Sequence, residues 1–293
     1  MRIWLNAARP RTLPAAIAPV LVGTAAAVFA HDGLPRWGGF LAALVASILI
    51  QIGTNLANDY SDARRGADSA DRLGPVRVTS AGLITPQRVL TATWIAFGLA
   101  ALLGLYLAWL AGWIIIVVGV VSIAAGFLYT GGPKPYGYAG LGEVFVFLFF
   151  GLVSVNGSYY VQLEELAWLP FGLSVAVGLL STAILVVNNV RDIDSDRRAD
   201  KNTLAVRIGR EKTRRLYVTI MLGAFFVLAL TIVLNDGPWL ALLGLLAIPM
   251  ARGPIAAVTG RTDGPSLNKA LAGTGAVLGV ASLLTAIGLV LGS

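Results

Sequence analysis

The sequence predicts an all-α membrane protein, a multi-span bundle of nine transmembrane helices, and three observations lead to that class. Hydrophobic residues make up 57% of the chain and charged residues 13%, whereas a soluble domain carries about 25% charged residues. The mean hydropathy is +0.78. The apolar residues form continuous runs of the length that crosses a bilayer as a helix, without the period-2 alternation of a membrane barrel strand.

The apolar runs set the order of the helices. Each run is separated from the next by glycine, proline or charged residues. We therefore interpret residues 1–293 as a single integral-membrane domain. The predicted helices lie near residues 13–30, 37–57, 88–109, 112–129, 141–160, 168–187, 215–234, 238–256 and 269–290.

The distribution of positive charge predicts the orientation of this bundle. When loops are assigned to alternating sides, every Lys and Arg except Arg36 falls on one side. The positive-inside rule makes that side cytoplasmic. We therefore expect a multi-pass protein of the plasma membrane with a cytoplasmic N-terminus, cytoplasmic charged loops and an external C-terminus. The net charge of +7 is then an orientation signal that also attracts anionic substrates and membrane lipids, not nucleic acid.

Composition restricts the chemistry. The chain has no cysteine, which excludes thiol catalysis, disulfides and iron–sulfur ligation. His31 is the single histidine, which argues against a histidine-rich zinc or haem site. The remaining ligands are oxygens, and these favour magnesium or calcium-like ions.

A first acidic segment, Asn55–Asp62, ends the second apolar run and reads Asn-Leu-Ala-Asn-Asp-Tyr-Ser-Asp. In a helix, Asn55, Asp59 and Asp62 fall at i, i+4 and i+7 on one face, with Asn58 one turn before Asp62. Carboxylates at the mouth of a membrane helix are costly, so they need a partner.

The pattern recurs in a second acidic segment, Asn188–Asp196, where Asn188, Asp192 and Asp196 fall at i, i+4 and i+8. Several facing carboxylates cannot all stay ionised without cations. Two magnesium ions would neutralise them and leave coordination sites open for water and phosphate oxygens. The two segments therefore predict a shared divalent-cation site.

Cations follow the first acidic segment in a long polar loop with Arg64, Arg65, Arg72 and Arg77. A solvated loop that obeys the positive-inside rule explains any one of them. As a group beside bound metal, they describe a clamp for a diphosphate. If the diphosphate leaves an allylic lipid, metal stabilises the departing charge and a membrane cavity keeps the carbocation from water. The aromatic run Phe145–Phe150 suits an apolar tunnel, but we interpret it as ordinary packing.

The predicted helices 1–4 and 5–8 form two parallel repeats, and helix 9 stands apart. In each half the second helix ends in Asn and Asp, a charged loop follows, and a glycine precedes a basic helix start. A four-helix shift preserves orientation, so a shared site would lie at the cytoplasmic interface of the repeats.

With these motifs the sequence resembles the UbiA superfamily of intramembrane aromatic prenyltransferases, and is most similar to the branch that acts on 1,4-dihydroxy-2-naphthoate in menaquinone biosynthesis. The segments that carry the resemblance are Arg9–Leu13, Asn55–Asp62, Gly74–Arg77, Leu141–Glu143, Asn188–Asp196 and Lys201–Gly209. The resemblance implies nine helices around a central cavity, two Mg²⁺ ions, a polyprenyl diphosphate donor and the naphthoate as acceptor. It implies release of diphosphate and CO2 to give demethylmenaquinol.

The resemblance also assigns metal and catalytic roles to residues. Asn58 and Asp62 match the Asn and first Asp of the family's first motif, and Asp192 and Asp196 match the second motif. The next Asp of the first motif is replaced here by glycine at position 66. Two residues are candidates to replace it, Asp59 and Asp68.

Substrate-binding roles follow from the same comparison. Lys134 and Lys201 match loop cations that resemble diphosphate ligands in the family, and Arg72 and Arg77 correspond more loosely. The amide side chains expected to join them are Asn55, Asn58 and Asn188. Candidates for the acceptor site are Arg9, Tyr129, Tyr138 and Asn156.

Three alternatives stay open at this point. A related enzyme could use another acceptor, 4-hydroxybenzoate or a glycerol phosphate lipid, although Arg9–Leu13 and Gly74–Arg77 favour the naphthoate. A CDP-alcohol phosphotransferase would have Gly directly after Asp62, where Ala63 stands. A cation transporter would place its carboxylates at the bilayer midplane in interrupted helices, whereas here they lie at cytoplasmic helix ends.

Overall fold

The computed structural model describes residues 2–31, 33, 36–66, 73–74 and 77–293, and every regular element in these ranges is helical. The helices are α1 (Arg2–Ala8), α2 (Pro14–His31), α3 (Trp37–Arg64), α4 (Pro86–Ala111), α5 (Ile114–Leu128), α6 (Gly142–Leu163), α7 (Trp168–Arg198), α8 (Leu204–Ile208), α9 (Arg210–Leu234), α10 (Trp239–Gly260) and α11 (Gly264–Leu291).

The all-helical membrane bundle predicted from the sequence is confirmed. Within the described ranges, eight helices are long and apolar enough to cross a membrane, and α5 is a shorter apolar helix of 15 residues. The predicted count of nine spans therefore remains a prediction, because it depends on α5. The protein is an integral multi-pass membrane protein.

The acidic segments lie inside helices, and here the predicted boundaries were wrong. The runs were expected to end near residues 57 and 187, but α3 continues to Arg64 and α7 to Arg198. Hydropathy marks where the apolar surface stops, while the backbone stays helical because the polar residues find partners within the protein. Both acidic segments are thus held on rigid helix surfaces, which fixes the direction of their side chains.

Two well-buried helices organise the bundle. The helix α7 packs against α6, α9 and α11, and α11 packs against α2 and α10. Their shared core contains Leu173, Val187, Tyr217 and Leu278. The helices α3 and α4 pack mainly on each other, so they and α5 form the wall on the other side of the interior.

Exposed tryptophans mark the end of the bundle opposite the acidic segments. Each lies at a helix terminus and is more than half exposed, as expected for an aromatic belt at a membrane surface. These residues are Trp37, Trp109, Trp113, Trp168 and Trp239.

Close helix contacts depend on glycine, as in other tightly packed membrane helices. A Cβ added at Gly23 of α2 would lie 2.2 Å from the carbonyl oxygen of Val155, and one at Gly288 of α11 would lie 2.0 Å from that of Leu240. These neighbours are backbone atoms, so the helices themselves would have to separate.

We expect Gly23→Ala to lower the apparent melting temperature in detergent, because overpacking costs about 1–3 kcal/mol. Gly98→Ala is the matched control, since no atom lies within 4 Å of a Cβ added there. Scanning fluorimetry on tryptophan emission makes the comparison. Equal melting temperatures for the two variants would show that α2 and α6 do not approach as closely as described.

Candidate functional site

The two acidic segments face one cavity of about 480 Å³. It is lined by six of the predicted site residues on the helices α3 and α7, namely Asn55, Asn58, Asp62, Asn188, Asp192 and Asp196. The cavity also follows α3 back to Ala43, a span of about 28 Å at 1.5 Å per residue. It is therefore polar at one end and long enough to accept an extended apolar chain.

The remainder of the cavity wall is mostly apolar. It includes Phe145, Phe149 and Phe150 of α6, while Phe147 lies against Gly178 of α7. Three phenylalanines of this run therefore line the cavity as well as packing within the protein, since Phe145 and Phe149 stack on each other and Phe150 contacts the main core. The run overlaps a π-helical stretch, Phe147–Val153, a distortion that is frequent at functional sites.

Asp62 is the most heavily bonded carboxylate of the site. Its Oδ2 lies 2.9 Å from a guanidinium nitrogen of Arg77 and 3.1 Å from Nζ of Lys201. Its Oδ1 accepts a hydrogen bond of 2.7 Å from the hydroxyl of Tyr138. Lys201 also lies over the Tyr138 ring, 4.8 Å from its centroid. Two buried cations therefore meet at one carboxylate in this corner of the cavity.

Asp192 is held by its neighbour in sequence, Arg191. Nε and NH2 of Arg191 donate to the two carboxylate oxygens of Asp192 over 2.8 and 2.6 Å. NH2 also donates to Oδ1 of Asn188 over 2.7 Å. Asp196, one turn later, is half-buried and lines the same cavity. Arg191 stands inside the second acidic segment but was not among the predicted site residues.

Asp59, predicted as a catalytic residue and metal ligand, is not among the residues that line the cavity, so the structure does not bring it together with Asp62 and Asp192 there. Its two oxygens accept backbone hydrogen bonds from Val78 and Thr79, over 3.1 and 2.9 Å. The carboxylate therefore anchors the loop that delivers Arg77 to Asp62. The other candidate for the missing first-motif position, Asp68, lies outside the described residues, as does Arg72.

Lys134 is exposed and is not part of the cavity lining, so the structure does not bring it together with the other predicted diphosphate ligands. Lys201, predicted on the same grounds, is buried at Asp62. Both lysines stand in loops rich in turn residues, and only the packing of those loops separates them.

The amides of α3 hold neighbouring segments at the cavity. Asn55 donates to the carbonyl of Ala8 and to the hydroxyl of Thr12, over 3.0 and 3.2 Å. Asn58 accepts from the hydroxyl of Thr130 over 2.8 Å. Arg9 follows Ala8 with a φ of 53° and lines the cavity. A left-handed conformation is uncommon outside glycine, and here the hydrogen bonds of this turn maintain it.

The hydroxyl of Tyr129 and the amide of Asn189 also line the polar end of the cavity. Asn189 lines the cavity and donates to Oε1 of the buried Glu143 over 2.8 Å. Burial, with a smaller contribution from the charge of Glu143, raises the pKa of Tyr129 above its ordinary value. Its hydroxyl therefore stays protonated and able to donate into the cavity. Asn156, a candidate for the acceptor site, bonds instead to the Leu152 carbonyl of its own helix.

The donor set fits magnesium only in part. Among the described residues, no group of three or more His, Cys, Asp or Glu side chains is close enough to hold a metal ion by itself. Magnesium is, however, usually bound by one or two carboxylates together with substrate phosphates and water. Asp62 on one side of the cavity, with Asp192 and Asp196 on the other, fits that mode of binding.

The bundle encloses an apolar cavity whose polar end carries carboxylates and cations. These features define the class of protein, an integral membrane protein with an intramembrane site for an amphiphilic anion. The chain belongs to the UbiA prenyltransferase family, whose profile matches residues 16–272.

Two relatives with the same name match over most of the chain. A 1,4-dihydroxy-2-naphthoate octaprenyltransferase of Mycobacterium tuberculosis is 46% identical over 289 residues, which cover 99% of this chain and 97% of that protein. The Escherichia coli protein of the same name is 42% identical over 84% of this chain and 82% of its own length.

Solved structures share the fold at low identity. A UbiA homologue from Aeropyrum pernix superimposes with a TM-score of 0.69 at 13% identity, covering 93% of this chain and 97% of that one. A homologue from Archaeoglobus fulgidus, bound to GPP and Mg²⁺, gives 0.67 at 13% identity and covers 98% and 99%.

We expect Asp59→Asn to lower stability, because an amide nitrogen would then face one of the two backbone N–H groups that the carboxylate now accepts from. A buried unsatisfied donor costs about 1–3 kcal/mol, which scanning fluorimetry in detergent would detect. Asp200→Asn, at an exposed position, is the control. If Asp59→Asn kept its stability but its activity no longer depended on Mg²⁺, Asp59 would instead be assigned to the metal site.

Proposed function

We propose that residues 1–293 act as a single prenyltransferase domain that transfers a polyprenyl group from polyprenyl diphosphate to 1,4-dihydroxy-2-naphthoate. The reaction depends on magnesium and yields demethylmenaquinol for menaquinone biosynthesis. The observation that carries the proposal is the joining of both acidic segments, with buried cations, at one end of a long apolar cavity. The relatives named as naphthoate octaprenyltransferases support the choice of acceptor.

The donor binds with its diphosphate at the polar end and its chain along the apolar wall. Arg77 and Lys201 provide two cationic hydrogen-bond donors, and the hydroxyl of Tyr138 provides a neutral one. Charge-assisted hydrogen bonds of this kind are the stronger ones for a phosphate. The chain then lies against Phe145 and Phe149 of α6 and the small residues that line the cavity on α4 and α5.

Two magnesium ions are the proposed cofactor. Asn58 and Asp62 would hold one, and Asp192 and Asp196 the other, with Asn188 nearby. Bound there, the ions would stabilise the negative charge that develops on the departing diphosphate. The residues of the chain keep the diphosphate at the polar end, so that the allylic carbon lies just inside the apolar part of the cavity.

The proposed reaction breaks one C–O bond and one C–C bond and forms one C–C bond. The C–O electron pair leaves with the diphosphate. The ring carbon that bears the carboxylate attacks the allylic carbon, and CO2 then leaves, returning its electron pair to the ring. Apolar side chains such as Phe149 exclude water from the carbocation. The Tyr129 hydroxyl, kept neutral by burial, is placed to donate to the acceptor.

We further propose that the polar end of the bundle faces the cytoplasm at the plasma membrane. The distribution of Lys and Arg supports this orientation. Both substrates carry negative charge, so an opening on the basic side favours their entry.

We expect Asp192→Asn to reduce prenyl transfer at least 100-fold, the scale seen when one transition-state electrostatic contact is removed. Asp194→Asn is the matched control on the same helix, because Asp194 is exposed and pairs with Arg210. Radiolabelled prenyl diphosphate and a panel of aromatic acceptors give the measurement. Chelation of magnesium should abolish transfer, and re-addition should restore it. If wild-type protein forms no product with any acceptor, the proposed function is wrong.

Lys201→Ala and Lys134→Ala separate the buried lysine from the exposed one. We expect Lys201→Ala to raise the KM for prenyl diphosphate about 10-fold or more, because a charge-assisted contact of about 1.5–3 kcal/mol is lost. Lys134→Ala should leave KM within about twofold. The reverse order would place the diphosphate at the exposed loop and contradict the site described here.

A further inference from the structure

The last long helix, α11, contacts the second acidic segment through one side chain. Asn268, in the second turn of α11, accepts a hydrogen bond of 2.8 Å at Oδ1 from NH1 of Arg191. Its Nδ2 donates to the carbonyl oxygen of Leu73 over 2.9 Å. One amide therefore joins α7 to the loop that leads into Arg77.

The orientation of this amide follows from its partners. A guanidinium can only donate and a backbone carbonyl can only accept, so Oδ1 must face Arg191 and Nδ2 must face Leu73. Rotating the amide by 180° would oppose donor to donor and acceptor to acceptor. Both hydrogen bonds of Asn268 therefore require this one orientation of the amide.

Arg191 needs such an external partner. Side chains at i and i+1 of a helix diverge and do not face each other, yet the Arg191 guanidinium holds both oxygens of Asp192. The Arg191 side chain lies at the interface of α7 with α11, where the residue is 2% exposed. Its guanidinium is turned back towards α7. The hydrogen bond from NH1 to Asn268 fixes the outer end of the guanidinium in this turned-back position.

The start of α11 is built to approach Leu73. Asp263 caps the helix by accepting from the backbone N–H of Ser266 over 2.8 Å. The next residue, Gly264, is buried, and a Cβ added to it would lie 3.0 Å from the carbonyl oxygen of Leu73. The absence of a side chain at Gly264 brings α11 close enough for Asn268 to reach the same carbonyl.

We propose that Asn268 is a positioning residue for the diphosphate site, and this inference rests on the proposed function. Asn268 orients Arg191, and Arg191 sets the plane of the Asp192 carboxylate that faces the cavity. Through Leu73 the same amide holds the start of the segment that carries Arg77 to Asp62.

The test measures binding of geranyl S-thiolodiphosphate, a slowly reacting donor analogue, to purified protein in Mg²⁺ by calorimetry. We expect Asn268→Ala to raise the apparent Kd about 10-fold, the lower end of the effect of removing an outer-shell partner of a metal ligand. Asn268→Asp keeps the acceptor for Arg191 and loses the donor to Leu73, so its Kd should rise by no more than about threefold. Asn235→Ala is the matched control, since the amide of Asn235 bonds within its own helix.

A double-mutant cycle with Arg191→Lys shows whether Asn268 acts through Arg191. Lysine keeps the charge but cannot hold two carboxylate oxygens in a planar fork, so it should weaken analogue binding about as much as Asn268→Ala. If the two residues act in series, the double variant loses no more than the worse single variant. Losses that multiply in the double variant would overturn the proposal, as would wild-type affinity in Asn268→Ala.

The proposed function and this inference fail in different ways. Wild-type protein that binds no analogue in Mg²⁺ defeats the proposed function, and the inference with it. Wild-type binding with an unaffected Asn268→Ala variant defeats the inference alone. If Asn268→Ala does not fold, the test uses Asn268→Asp. The proposal is contradicted if Asn268→Asp raises the apparent Kd for the analogue 10-fold or more while Arg191→Lys leaves it unchanged.

Discussion

The structure depends on compensating charge at the end of an apolar bundle. Asp62 is 1% exposed and Asp192 5% exposed, and an uncompensated buried carboxylate costs several kcal/mol. Asp62 is matched by Arg77 and Lys201 from two distant loops, and Asp192 by its neighbour in sequence, Arg191. These ion pairs therefore fix the loops against the helices. The segment after α7 returns Lys201 to α3, and the segment before α4 returns Arg77 to the same carboxylate.

This constraint explains why elements remote from the cavity still determine its shape. The Asp59 carboxylate binds the backbone at Val78 and Thr79, so the Arg77 guanidinium arrives with its backbone already anchored. The small residues at helix crossings, such as Gly23 against Val155, let helices approach closely enough for short polar side chains to span them. Close packing, anchored loops and ion pairs support one another, so loosening one of them exposes the buried charges.

Hydropathy and charge predicted the helical class and the pairing of the acidic segments, because these follow from the local properties of each run. The face assignment within α3 was only partly right. At 100° per residue, Asn58 lies about 60° to one side of Asn55 and Asp59 about 40° to the other. The cavity lies on the Asn58 side, and only the packing of α3 decides that. Lys134 and Lys201 were equivalent for the same reason. Arg191 was missed because adjacent helical residues ordinarily point apart, and Asn268 because no acidic or basic pattern surrounds it.

The charge balance of the polar end bears on how a charged substrate enters a membrane site. Asp62, Asp192 and Asp196 contribute three negative charges to the cavity wall, and Arg9, Arg77 and Lys201 contribute three positive ones, with Arg191 beside the wall at Asp192. A diphosphate ester carries up to about three negative charges, which the proposed pair of magnesium ions offsets with four positive ones. The donor and its metal would therefore change the net charge of the pocket by only about one unit. Because each unbalanced charge in a low-dielectric interior costs several kcal/mol, binding as a metal complex is far less costly than binding as the free anion. Arg77 and Lys201 would lie beside the bound diphosphate, while Arg191 would keep its contact with Asp192.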